Sequence, residues 1–175
     1  MNKTLKLTNI AMLMTFAVVI HFVENLIPLP LPVPGVKIGL ANIITILTLT
    51  IYGFGSGMLV AVGRSVLGSF FTGSFLGFGF WLSFSAAATS CVAMALVMPL
   101  REKGYFTLVS VSIIGAVVHN ITQLTIASVI MQNIILLQGY LPLLIILAVP
   151  TGLLTGLAAQ YLENITRKNL KMIKG

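Results

Sequence analysis

Aspartate is absent from the chain, and only three carboxylates remain, Glu24, Glu102 and Glu163. Without aspartate no aspartate-rich magnesium site can be built. No Walker-type nucleotide loop and no nucleophile–base pair can be found either. The chain therefore offers no catalytic residue and no metal site, calls for no cofactor, and reads as a non-enzyme. The single cysteine, Cys91, lies in an apolar stretch, which excludes a disulfide framework and a cysteine-based metal centre. Charge of either sign is scarce, at 7 % of residues, against about 25 % in soluble domains.

Apolar residues fill the chain instead: 58 % are hydrophobic and the mean hydropathy is +1.08. That composition describes an all-α integral membrane protein. At ~20 residues per helical crossing, 175 residues allow about six spans with short loops in a single domain. The hydrophobic runs place them at about 7–27, 38–54, 57–71, 81–100, 106–131 and 141–162. The first follows a short basic segment, as a signal peptide does. No small-x-small cleavage pattern follows Val23, so it is expected to be a retained helix. No long internal repeat is evident.

The net charge of +7 becomes informative once placed. Threading six spans from a cytoplasmic N-terminus gathers Lys3, Lys6, Arg101, Lys103, Arg167, Lys168, Lys171 and Lys174 on one side and leaves Lys37 alone on the other. The bias of Lys and Arg toward cytoplasmic segments then predicts a multi-pass protein of the cell membrane with both termini cytoplasmic. Charges at chain ends and one loop make no nucleic-acid-binding face; the lipid bilayer is the expected surrounding.

Between the first two spans, Pro28, Pro30, Pro32 and Pro34 forbid helix and stiffen the connection, which Gly35 turns. It reads as the wall or lid of a pocket, or as a rigid linker. Polar residues collect beneath it. His21 and Glu24 stand three apart on one face of span 1. Asn42 and Thr45 open span 2, Arg64 lies midway along span 3, and span 5 carries His119, Asn120 and Gln123. Ionisable groups at the membrane centre cost at least ~2.5 kcal/mol each and normally face a bundle interior or a watery cavity. The shared depth of His21, Glu24, Lys37, Asn42, Arg64, His119, Asn120 and Gln123 suggests one outward-opening site for a small molecule. Internal helix–helix bonding, with Arg64 paired to Glu24, is the competing reading. The aromatic segment Phe70–Trp81 offers Trp81 for stacking on a ring-bearing or prenyl substrate, or forms an interfacial belt.

Two small-x-x-x-small patterns permit close helix approach, Ala11 with Thr15 and Gly152 with Gly156. Ala11 and Thr15 point away from His21 and Glu24, leaving a smooth face near the start of span 1. The order Ile27-Pro28-Leu29-Pro30, Pro34-Gly35-Val36-Lys37-Ile38-Gly39-Leu40-Ala41-Asn42-Ile43, then Gly63-Arg64, resembles the Gx transporter family, also labelled heptaprenyl diphosphate synthase component I. That family is similar to the S components of energy-coupling factor transporters. The resemblance implies a six-helix fold, an outward pocket roofed by the loop after helix 1, and a membrane coupling subunit with cytoplasmic ATPases as partners. Docking would use an Ala-x-x-x-Ala motif on helix 1, for which Ala11 supplies the first position and Thr15 replaces the second. The substrate expected is a small anionic or phosphate-bearing cofactor precursor. A non-catalytic scaffold or accessory subunit of prenyl diphosphate or quinone synthesis is the alternative, since the aspartates of a synthase are missing.

Overall fold

The computed structural model describes residues 3–26, 37 and 39–174, with side chains as far as residue 168. The proline connection of residues 27–36 lies outside the described residues. The described residues form six helices: α1 (Lys3–Leu26), α2 (Asn42–Tyr52), α3 (Phe54–Phe71), α4 (Phe78–Glu102), α5 (Leu108–Ile130) and α6 (Ile134–Lys174). No strand occurs among the described residues. Five of the six are long and apolar enough to cross a membrane.

The exception is α2. Its 11 residues rise only ~16 Å, about half of a ~30 Å hydrocarbon core, so the expected span over 38–54 is half a span. Gly53 ends α2 at φ 85° and α3 begins at the next residue. Only glycine takes that backbone without strain, and the result is a hairpin with a one-residue corner. Asn42 and Arg64 each lie 11 residues from Gly53, which brings them to the same depth. At the other side of the same ladder, the Asn9 amide donates to the Tyr52 hydroxyl at 3.0 Å, fixing α1 in register with α2.

The longest helix, α6, has 41 residues and keeps Pro142 and Pro150 inside it. It starts earlier and ends later than the 141–162 stretch suggested. Its grip on α5 explains the Gly152 and Gly156 pattern as internal packing. A Cβ at Gly152 would lie 2.6 Å from Ile113 Cα, and one at Gly156 2.7 Å from Val109 Cα. Between them the Ser112 and Thr155 hydroxyls bond at 2.8 Å. The α5 start is capped by Thr107, whose hydroxyl accepts from Ser110 N at 3.1 Å.

Two apolar clusters occupy the ends of the bundle. Leu82, Leu124, Ala127 and Leu144 fill the end near the 72–77 loop. Ile46, Leu49, Met94, Leu108, Val111 and Ala159 fill the end near the 53 corner. Between these clusters lies a polar layer.

Candidate functional site

The polar layer is assembled from α1, α2, α3 and α5, with the segment just before α2 folded onto it. His21, Glu24, Asn42, Arg64, His119, Asn120 and Gln123 are all buried. Arg64, at 1 % exposure, is the largest fully buried side chain. Its Nη2 donates to Asn42 Oδ1 at 2.9 Å, and its Nη1 faces His21 Nδ1 at 3.4 Å. Gly68, one turn beyond Arg64 on α3, lets His21 reach it. A Cβ there would stand 2.5 Å from His21 Cδ2.

Glu24 does not pair with Arg64. Its Oε1 accepts the backbone N–H groups of Gly39 and Leu40, the latter at 3.1 Å. Both ion pairs among the described residues instead use Glu163, held by Arg101 and Arg167 at 2.7 Å each at the far end of α6. Glu24 thus ties the approach to α2 onto α1. Gly39, at φ 84°, makes the turn, and the space a Cβ would need there is bounded by Asn42 Nδ2 at 3.0 Å and His119 Cδ2 at 3.4 Å.

Lys37 reaches the layer from the same segment. Its backbone N–H donates to Gln123 Oε1 at 3.2 Å, and its Nζ stands 3.2 Å from His21 Nε2. Burial pushes its ammonium down to about 8, against the pull of Glu24 and with the help of Arg64. The bond from Lys37 N also orients the Gln123 amide, leaving Nε2 as a free donor.

Five buried atoms of this layer have no hydrogen-bond partner among the described residues: Glu24 Oε2, Arg64 Nε, both ring nitrogens of His119, and Gln123 Nε2. The backbone of Ala86 approaches His119 without completing a hydrogen bond. Ser83 Oγ, on α4, is likewise unpartnered. Sequence reasoning missed Ser83 and the two glycines. A serine in an apolar helix carries no signal of its own, but a glycine one turn from a buried arginine does.

Two of the nominated residues stand apart. Asn120 is buried but donates to the Leu144 carbonyl at 3.0 Å, bracing α5 against α6. Trp81 is 44 % exposed and packs edge-on against Phe80 and Phe84. Phe70, Phe75 and Phe80 continue that aromatic group around the 72–77 loop. A separate groove of about 330 Å³ lies where α5 passes into α6, lined by Thr125, Ser128, Gln132, Asn133 and Leu137 among others. None of the residues nominated from sequence lines it. Ala11 and Thr15 are exposed on α1.

No curated protein and no solved structure matches this chain. A family model does, over residues 13–162, which takes in the whole polar layer and all six helices at least in part. The chain belongs to the family described as heptaprenyl diphosphate synthase component I.

Proposed function

We propose that this membrane protein is the substrate-binding subunit of an energy-coupling factor-type importer. It captures a small anionic molecule from outside the cell membrane and performs no chemistry on it. A membrane coupling subunit and cytoplasmic ATPases would drive its release inward. The observation that carries this reading is the set of five unpartnered polar atoms in one layer. A buried polar group left without a partner costs about 1–3 kcal/mol, and native folds keep few of them. Here they come from α1, α3 and α5; Glu24 and Gln123 hold Gly39 and Lys37, His119 stands beside Gly39, and Arg64 joins them through His21 and Asn42. A ligand with acceptors for Arg64 and Gln123 would offset that cost.

The charges favour an anion. Two groups able to carry positive charge, Lys37 and Arg64, stand against one carboxylate, Glu24, whose Oε1 is already engaged by two backbone donors. A phosphate or carboxylate suits the planar donor edge of Arg64, two of whose nitrogens already have partners inside the protein. The exposed small residues Ala11 and Thr15 suit a partner helix.

The family description favours a second reading, an accessory subunit beside a prenyl diphosphate synthase. An accessory scaffold requires no small-molecule site in the bundle. Native mass spectrometry of the purified protein separates the two. The importer reading expects a retained small molecule that disappears in Arg64→Ala while the protein stays folded and membrane-inserted. If nothing is retained, and both Arg64→Ala and Glu24→Ala unfold the protein, the layer is structural and the importer reading fails.

A further inference from the structure

His21 lies between two cations and can accept from only one of them. Arg64 stays protonated at any accessible pH and has hydrogens alone to offer. Its Nη1, 3.4 Å away, therefore requires His21 Nδ1 to accept. A neutral imidazole accepts at one nitrogen and carries its proton on the other, so Nε2 bears the hydrogen. That N–H points at Lys37 Nζ, 3.2 Å off. An ammonium has three donors and no lone pair and would set donor against donor. A neutral amine accepts from Nε2–H and completes both contacts. Protonating His21 instead would turn Nδ1 into a donor facing Arg64. Of the possible proton placements, only an uncharged Lys37 beside an Nε2–H His21 satisfies the geometry. The downward push of burial on the Lys37 ammonium acts in the same direction.

The charges of the layer follow. The titratable and charged groups around Lys37 are His21 and Glu24 on α1, Arg64 on α3 and His119 on α5. With Lys37 neutral, Arg64 and Glu24 balance. An anion arriving at the free Arg64 Nε would leave unbalanced negative charge where uncompensated charge is expensive. We propose that the site takes up its anionic ligand together with one proton from solution, and that Lys37 Nζ receives that proton. The ammonium so formed loses its acceptor contact with His21 and gains the anion as its counter-charge. When the anion leaves, the proton leaves with it wherever the pH lies above the unliganded midpoint of Lys37; below that midpoint the empty site already holds the proton and none is exchanged. This proposal rests on the reading of the layer as an anion site.

Competitive acetylation with acetic anhydride tests it, because only the unprotonated amine reacts and mass spectrometry reads each lysine separately. The probe is inorganic sulfate, which stays fully ionised from about pH 6 to about pH 11, applied to the full chain in detergent at fixed ionic strength. Without sulfate, Lys37 should reach half-maximal labelling near pH 8. With sulfate, that midpoint should rise by about one pH unit or more, a tenfold fall in labelling below it. Arg64→Gln should abolish the sulfate effect. His21→Phe should raise the sulfate-free midpoint, because the N–H that opposes an ammonium is gone. A wild-type midpoint at the ordinary lysine value overturns the proposal, and so does a low midpoint that sulfate leaves unmoved. Either result combined with a retained small molecule in native mass spectrometry would leave the anion-site reading standing and remove only the proton.

Discussion

Lys37 shows how one side chain can tie folding stability to pH. Its ammonium is pushed from an ordinary 10.5 down to about 8. Between those values the unfolded chain binds the extra proton and the folded protein does not, so stability rises with pH across that window. Below about pH 8 both states are protonated and the full penalty of burying the charge is present. Thermal unfolding in detergent should therefore show the apo protein gaining stability from about pH 8 to about pH 10, by at most ~3 kcal/mol. Lys37→Met, which keeps the stem and deletes the charge, should flatten that rise. An equal rise in Lys37→Met would assign it to another group. The sequence marked most of these residues through one simple rule, that a polar side chain inside an apolar span must face something polar. It could not tell which polar partner each one takes. Glu24 looked suited to Arg64, yet the backbone donors of Gly39 and Leu40 claim its Oε1. That outcome depends on where the chain returns after the proline connection, which spacing along a helix does not encode. Trp81 was nominated as a stacking surface from the aromatic run at the outer interface, and such a run says nothing about which way a helix turns its face.

At the scale of elements, hydropathy located all six helices but misjudged two lengths. The apolar run through residues 38–54 reads as a crossing because hydropathy does not register the turn at Gly39 or the corner at Gly53. The result, α2, is a half-length helix that begins at mid-depth and presents Asn42 to Arg64. The expected span 141–162 already held Pro142 and Pro150, and α6 carries both and extends beyond it at each end, because neighbouring helices support a backbone that lacks their N–H groups. Helix α1 leaves one face open to a partner. Its Met12, Phe16, Val19 and Val23 are exposed, and Ala11 and Thr15 form a small-residue step beside Met12 and Phe16. The Thr15 hydroxyl returns to the Ala11 carbonyl at 3.0 Å, so the face shows no unpaired donor. Bulk added there touches neither α2 nor the polar layer. Ala11→Trp with Thr15→Leu should therefore preserve retention of the small molecule in detergent, while uptake and co-purification with partner subunits fall at least tenfold. Wild-type recovery of partners by the double variant would remove this face from the docking reading. Loss of folding would show that the patch packs within the chain.

For the molecule as a whole, direction in the membrane decides whether the polar layer can serve import. The helices alternate, so the start of α1, the 53 corner, the α4–α5 turn at 103–107 and the late turns of α6 gather at one end of the bundle. The 72–77 loop and the α5–α6 turn gather at the other. Lys3, Lys6, Arg101, Lys103, Arg167 and Lys168 all belong to the first end. Glu163 holds Arg101 and Arg167 there, neutralising part of that charge without moving it. The cytoplasmic bias of basic residues predicts that this end lies inside, an orientation the labelling below tests. The polar layer is entered, in sequence, from the Lys37 segment, which joins the opposite ends of α1 and α2 and would then face outward. Cys91 is buried and the chain has no other cysteine, so a single introduced thiol reports its own position. Ser74→Cys, in the exposed 72–77 loop, should react with an impermeant thiol reagent in intact cells. Lys103→Cys, at the basic end, should react only after the membrane is permeabilised. The reverse pattern would turn the layer toward the cytoplasm, and a protein so oriented could not capture its ligand from outside.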